Sequence, residues 1–414
     1  MSDRDGSKST SGPLTGLRVV DMTTSYAGPT ASMYLADLGA DVIKIERPGA
    51  GDEARSWGPP FVQSSSAWFA SANRNKRSVV INLRDPEGLA TLRTLIGNAD
   101  VFMENLNPGK LEALGIDHVR LRADFPHLIY CAMSGFGLDG PDCTLPGYDL
   151  AVQARSGLMS VTGAKGGAPQ RVSTALSDVV TGMCAALAIS AAVVRQRAEG
   201  IGDLIDVSLL DSDLAVMAPR IAAFMAGDAE PAPSGGTDSV LAIYQSFRTA
   251  DRDLVIAIGN DAMWRRFCVA IGLPELAESD ELAENAGRRA HRMRLTELVG
   301  ARLTERTAAE WQQILGDAGI PCSLVQSLSE VVTDPQVLAR ESLLPVPGTG
   351  ATMHSVRSPF RLSSIPVPRN TRFPELGEHT VEVLAEHGYS SAAITRLRER
   401  SVIEAAGTEI HGAR

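Results

Sequence analysis

The sequence predicts an α/β chain: a doubly wound parallel sheet in its first third, followed by a second, smaller α/β domain. Three observations predict it. Short apolar runs rich in β-branched residues recur from residue 17 to residue 135, separated by helix-like segments. Runs of that kind suit strands buried on both faces, as a parallel sheet requires. The length of 414 residues gives room for two or three domains.

The elements follow in order. Leu17–Met22 reads as a buried strand. A loop, Thr23–Gly28, leads to Pro29, a residue suited to the first helical turn. Pro29–Leu38 reads as a helix with Gly39 as its C-terminal cap, and Asp41–Glu46 as the next strand. This strand–turn–helix–strand order opens a doubly wound domain, whose ligands bind outside the carboxyl ends of the strands. Val79–Leu83 is a further strand, and Asp85 opens a helix over Pro86–Ile96. Asp100–Glu104 and His127–Met133 are strands, the last ending in Ser134-Gly135-Phe136-Gly137. Asp178–Arg197 reads as one long apolar helix and 204–227 as another. Ala226–Asp238, rich in Pro, Gly and acid, reads as a linker. Strands near 240–248 and 254–258 and helices near 261–271, 289–303 and 307–318 make the second region. Pro345–Pro368 reads as extended and Pro-rich.

Charge and cysteine content bound the function. Lys plus Arg is 39 and Asp plus Glu is 49, a net charge of −10. That argues against a nucleic-acid partner, which needs a positive surface field. Residues 1–110 hold 12 basic and 12 acidic side chains, so this part is neutral and the whole −10 lies beyond it. The five cysteines are odd in number, and none are spaced as Cys-x-x-Cys, which favours a reducing cytoplasm. The polar N-terminus, residues 1–12, lacks the apolar core of a signal peptide and is expected to be disordered. The most apolar run, Met183–Val194, is short of the ~20 residues of a membrane span. No membrane partner is expected.

Residue chemistry narrows the site. The turn after the first strand holds Gly28 but no Gly-x-Gly-x-x-Gly, which argues against a dinucleotide. Arg74, Lys76, Arg77 and Arg84 form a cationic stretch with no acid between them. It reads either as a solvated surface or as a phosphate-capturing patch. Arg47 sits where the second strand meets a loop. Asp178 stands just before a long run poor in charge. It reads either as a helix N-cap or as an ionised carboxylate able to attack a carbonyl, and the helix N-terminus favours its ionised form. Tyr148 and Asp149 follow a Pro-Gly turn and can orient a substrate. None of the seven histidines has metal-pair spacing, and no Gly-x-Ser-x-Gly turn is present.

Together these segments resemble the class III CoA-transferases, the group that includes formyl-CoA transferase, carnitine CoA-transferase and α-methylacyl-CoA racemase. The matching stretches are LxGLRVVDMTxxxAGP at 14–29, LADLGADVIKIERPGxGD at 35–52 and NxNKRSVVINLRDPEG at 73–88. ADVFMENLNPGKLEALGI at 99–116, MSGFGxxGP at 133–141, PGYDLAVQARSGLMSVTG at 146–163 and ALSDVVTGM at 175–183 continue it. GIPCSLVQSLSEVVTDPQV at 319–337 and LGEHTVEVL at 376–384 close it.

The resemblance implies an interlocked homodimer with a Rossmann-like large domain built from both ends of the chain. On that basis residues 13–203 form the first part of a large CoA-binding domain. Residues 204–238 form a connecting helix and linker, 239–330 the small domain, and 331–414 a linker and return. Coenzyme A or acyl-CoA enters as substrate, with no tightly bound cofactor, and a small carboxylic acid is the other partner. Tyr26, Ala27, Arg47, Ile81, Asn82, Leu83, Arg84, Asn105, Leu106 and Lys110 are implied to bind CoA. Asp178 is implied as the nucleophile, with Tyr148 and Asp149 beside it. The resemblance also places the Gly235-Gly236 loop near the reacting carbonyl. The implied activity is transfer of CoA from an acyl-CoA to an acid through an aspartyl mixed anhydride. The alternatives are an α-methylacyl-CoA racemase or epimerase and a non-catalytic acyl-CoA-binding protein. Tyr148 stands where the racemases carry a proton-shuttling His, and its unperturbed pKa of about 10 disfavours two-base racemisation.

Overall fold

A computed structural model describes residues 12–107, 109–237, 240–349, 353–363, 365 and 370–406. The expectation about the first twelve residues thus lies, Gly12 apart, outside the described residues. Contacts divide the chain into two units. The larger takes the chain up to Ser156, Val172–Ile221 and the part from Ala339 onward. The smaller takes Gly157–Arg171 and Ala222–Leu338.

The larger unit is built on a seven-stranded sheet. Its spatial order is Ile403–Glu404, Lys76–Ile81, Asp41–Glu46, Arg18–Met22, Val101–Glu104, Ile129–Ser134 and Leu204–Ser208. Six strands run parallel, and Ile403–Glu404 pairs antiparallel at one edge. The parallel strands follow the 3-2-1-4-5-6 order of a doubly wound sheet. The reading of 204–227 as one helix is corrected here. Leu204–Ser208 is a strand, Ile205 pairing with Cys131, and the helix starts only at Leu209.

Strand periodicity sorts the core into two layers. Val20, Ile43, Ile45, Val79, Ile81 and Phe102 face one way, onto Leu92 and Ile96 of the helix Pro86–Gly97 and Leu384 and Leu397 near the C-terminus. Val19, Val42, Val101, Met103 and Cys131 face the other, onto the helices Ala27–Asp37 and Leu176–Glu199. These two helices approach closely at Gly182, where a Cβ would lie 2.8 Å from the Ala27 carbonyl oxygen. That contact ties the helix bearing Asp178 to the first turn of the helix after the first strand. At 24 residues the Asp178 helix is longer than expected, and by length and composition alone it is long and apolar enough to cross a membrane. Its Ala185, Ile189 and Val193 are nevertheless buried in the core.

The smaller unit carries an antiparallel sheet, Cys322–Leu324, Asp253–Ala257 and Tyr244–Arg248. Its core is built on Trp264, Phe267 and Trp311. Gly235 and Gly236 lie in a turn with left-handed φ, and Gly235 N–H donates to the Gly163 carbonyl at 2.9 Å. Of the stretch 345–368, residues 350–352, 364 and 366–368 lie outside the described residues. Leu343–Pro345 and His354–Val356 pair as a short antiparallel ribbon.

Candidate active site

A cavity of about 680 Å³ opens at the carboxyl ends of the parallel strands. It sits where the order reverses, between Arg18–Met22 and Val101–Glu104, the place a doubly wound sheet leaves open for a ligand. All of its lining residues belong to the larger unit. Five parallel strand ends contribute: Met22, Thr24, Ser25 and Ala27 at the first, Ile45–Pro48 at the second, and Ile81–Arg84 at the third. Asn105, Leu106, Asn107 and Lys110 follow the fourth, and Met133–Gly135 end the fifth.

Most of the residues implied as CoA contacts therefore come together. Ala27, Arg47, Ile81, Asn82, Leu83, Arg84, Asn105, Leu106 and Lys110 all line this one cavity. Tyr26 does not. Its ring packs edge-on against Trp68 at 5.2 Å, and its hydroxyl lies 3.0 Å from Ser71 Oγ, so the side chain is part of the wall behind. Asn105 lines the cavity, but its amide is committed. It accepts from Thr24 N–H and donates to the Thr24 carbonyl, both at 2.8 Å. It fixes the loop that follows the first strand.

The cationic stretch divides in a way neither reading anticipated. Arg74 and Lys76 are buried and paired, with Asp37 and Asp21, and Arg77 pairs with Asp41, Glu382 and Glu386. Only Arg84 lines the cavity. The side chains of Arg84 and Lys110 are exposed and form no ion pair or hydrogen bond among the described residues. Arg47 uses only its Nε, on the Gly51 carbonyl at 2.9 Å. Three cations thus remain for an anionic ligand.

Asp178 also lines the cavity, partly buried. The N-cap of its helix is Ala175, so Asp178 sits inside the first turn and is not the cap. Its carboxyl is pushed up to about 7 from 3.8 by burial first, then by the charges of Asp149 and Asp213. A helix terminus is worth about 0.3–1 kcal/mol to a carboxylate. A shift of this size corresponds to about 4 kcal/mol in the opposite direction. Burial and like charge win, against the expectation that the terminus would favour ionisation.

Tyr148 lines the cavity and Asp149 does not. Asp149 stands behind, its Oδ2 accepting from Ser177 N–H at 2.9 Å and its Oδ1 from Gln153 Nε2 at 2.7 Å. The buried Asp213 accepts from Ser177 Oγ at 2.9 Å and Ser156 Oγ at 3.2 Å. Ser177, the residue before Asp178, is therefore held by two acids. Asp213 carries no motif signal and sequence reasoning missed it. Glu53 was missed too: its Oε1 accepts from Ser25 Oγ and, at 3.2 Å, from the Tyr148 hydroxyl. The Gly51-Asp52 turn before it was its one visible signal.

Arg47, Arg84 and Lys110 thus give the cavity the charge to receive an anionic ligand, and the Asp178 carboxylate and the Tyr148 phenol share it. Comparisons with known proteins agree with that chemistry. The model of CoA-transferase family III matches residues 14–380. The chain is 38% identical over 406 residues to a succinyl-CoA:glutarate CoA-transferase of Mus musculus, covering 98% of this chain and 92% of that one. It is 37% identical over 334 residues to an acetyl-CoA:oxalate CoA-transferase of Acetobacter aceti, covering 80% and 86%. Among solved structures, a CAIB/BAIF family protein from Brucella suis matches with a TM-score of 0.80 at 35% identity, covering 91% of this chain and all of that one.

Proposed function

The chain belongs to CoA-transferase family III and is a CoA-transferase, and from that premise we propose that it passes CoA between two carboxylic acids through a covalent intermediate on Asp178. The observation that carries the proposal is a single cavity that joins three cations, none of them in an ion pair among the described residues, to the partly buried Asp178 carboxylate. Arg47, Arg84 and Lys110 take the phosphates of CoA, since guanidinium and ammonium groups suit phosphate oxygens. The Asp178 carboxylate attacks the thioester carbonyl carbon of the donor. The C–S bond breaks, CoA leaves as thiolate, and an aspartyl mixed anhydride remains. The acceptor carboxylate then attacks the aspartyl carbonyl and releases the donor acid. The thiolate attacks the acceptor's acyl carbon, forming the new thioester and freeing Asp178. No net proton is consumed.

The names of the relatives direct the acceptor search to dicarboxylic acids, with succinyl-CoA and glutarate as the first pair. The proposal includes the homodimer. The helix Leu176–Glu199 leaves Leu187 73% and Val194 71% exposed, an apolar face that a second copy would cover. It also places the enzyme in a reducing cytoplasm, in keeping with cysteines that are all free thiols.

A donor-by-acceptor matrix read by mass spectrometry tests the reading. Succinyl-CoA with hydroxylamine should leave a hydroxamate on the peptide carrying Asp178. An active enzyme that never labels that peptide would sink the mechanism.

The raised Asp178 carboxyl predicts the pH profile. The attacking form is ionised, and ionisation rises through about 7. The acid limb of kcat/KM should therefore fall near pH 7, with the rate at pH 6 about one-tenth of the alkaline plateau. Removing one flanking charge, as Asp213→Asn, should move that limb to lower pH. A limb that stays in place in this variant would mean the flanking charges do not act on Asp178.

A further inference from the structure

Glu53 is an acid on the wall of a cavity that already holds a carboxylate nucleophile, and its surroundings are built with care. Asp52, the residue before it, is buried. Its Oδ1 accepts from Ser25 N–H at 3.0 Å and from Ala54 N–H at 2.9 Å, and its own N–H donates to Glu46 Oε2 at 2.9 Å. Ser25 has φ of 69°, a left-handed backbone that a serine rarely adopts. Such a conformation persists only where neighbours over-determine it, and it concentrates at functional sites. Here it turns Ser25 Oγ onto Glu53 Oε1, the same oxygen that receives the Tyr148 hydroxyl. The Tyr148 ring is 60% exposed and would otherwise be free to swing. Burial and the Glu53 charge hold its phenol above its ordinary value, so it remains a proton-bearing donor, and it lies near enough to feel the Asp178 charge.

We propose that Glu53, with Ser25, is a positioning residue that holds the Tyr148 hydroxyl toward the reacting carbonyl at Asp178. Before reaction the phenol donates to Glu53. When the thioester oxygen gains negative charge under attack, the same hydrogen turns to it, and Ser25 keeps Glu53 satisfied. The bond is made to the developing charge and not to the resting substrate, so it acts on turnover more than on binding. The proposal rests on the Asp178 reading for the place of attack.

The test is a double-mutant cycle on the full chain, with succinyl-CoA as donor and glutarate as acceptor. Glu53→Ala should lower kcat about tenfold with KM for succinyl-CoA within about twofold, the pattern of a lost transition-state contact. Tyr148→Phe should cost about the same, and the double variant no more than either single, because both remove one interaction. Glu53→Gln should retain at least about a third of wild-type kcat, since its amide oxygen still accepts both hydroxyls. It also serves should the alanine variant fail to fold. Multiplying losses, about a hundredfold in the double variant, would overturn the proposal. So would an unchanged kcat in Glu53→Ala, or a glutamine variant as slow as the alanine one. The cycle is read on turnover alone. Failure to label Asp178 with the cycle intact would sink the nucleophile assignment and leave the Glu53–Tyr148 coupling standing.

Discussion

Asp178→Ala is expected to abolish CoA transfer, by roughly 10³-fold or more, while leaving acyl-CoA binding within a few-fold of wild type. The size follows from removing a nucleophile that the remaining groups cannot replace. Binding survives because Arg47, Arg84 and Lys110 come from strand ends elsewhere around the cavity. The same side chain bears on stability, and with the opposite sign. Its folded pKa is raised, to about 7 from 3.8. A carboxyl raised in this way favours the folded state when protonated, below its unfolded value, and loses that contribution as pH rises through the folded one. At pH 8 the ionised Asp178 therefore destabilises the protein, by up to about 4 kcal/mol if the whole shift is realised. Asp178→Asn should melt higher than wild type at pH 8, and by a smaller margin at pH 5. Turnover assays, calorimetry at the two pH values and acyl-CoA titration check the three statements. Wild-type transfer in the alanine variant would end the assignment.

That trade explains which parts of the site could be read along the chain. Strands such as Asp41–Glu46 are legible because a parallel sheet buries both faces of a short apolar run. Leu204–Ser208 was not, because the run from Leu204 through Leu209 continues smoothly into a helical pattern. Pairing of Ile205 with Cys131 decides it, and that is a long-range event. The place of Asp178 in the cavity was legible through its motif, whereas the upward push on its carboxyl was not. The acids that raise it, Asp149 and Asp213, arrive from the helix Asp149–Arg155 and from the helix that opens at Leu209. The cationic stretch misled for the same reason. Arg74, Lys76 and Arg77 find Asp37, Asp21 and Asp41 on neighbouring elements, and only Arg84 projects past the strand end into the cavity. Local sequence shows which groups are charged, and the tertiary fold decides which of them are already paired.

The buried charges beneath the cavity carry the second large effect. Asp21, Lys44 and Ser78 are in register across three adjacent strands. Lys44 is fully buried, with Asp52 Oδ2 at 2.8 Å and the Thr23 carbonyl at 2.9 Å. Lys76 lies 3.3 Å from Asp21, and burial lowers it to about 7, so it is a weakened counterion. Lys44→Met would leave Asp21 and Asp52 in the interior with that weakened cation and their hydrogen-bond donors alone. Breaking a buried pair from one side costs about 3–5 kcal/mol, because the remaining charge is uncompensated. In a unit of this size that should lower Tm by roughly 10 °C. Activity should fall further than stability requires, since Asp52 also fixes Ser25 beside Glu53. The two losses can be separated. Lys44→Met with Asp52→Leu removes both charges, and replacement of a whole buried pair by apolar groups is often neutral or stabilising. Asp21 keeps Lys76, Ser32 and Thr23 as partners. The double variant should therefore recover part of the lost Tm but not the turnover, because nothing then accepts the Ser25 and Ala54 amide hydrogens. Recovery of both would reduce the network to a packing device. Recovery of Tm alone would mean that these buried charges are kept for the shape of the loop that faces the substrate.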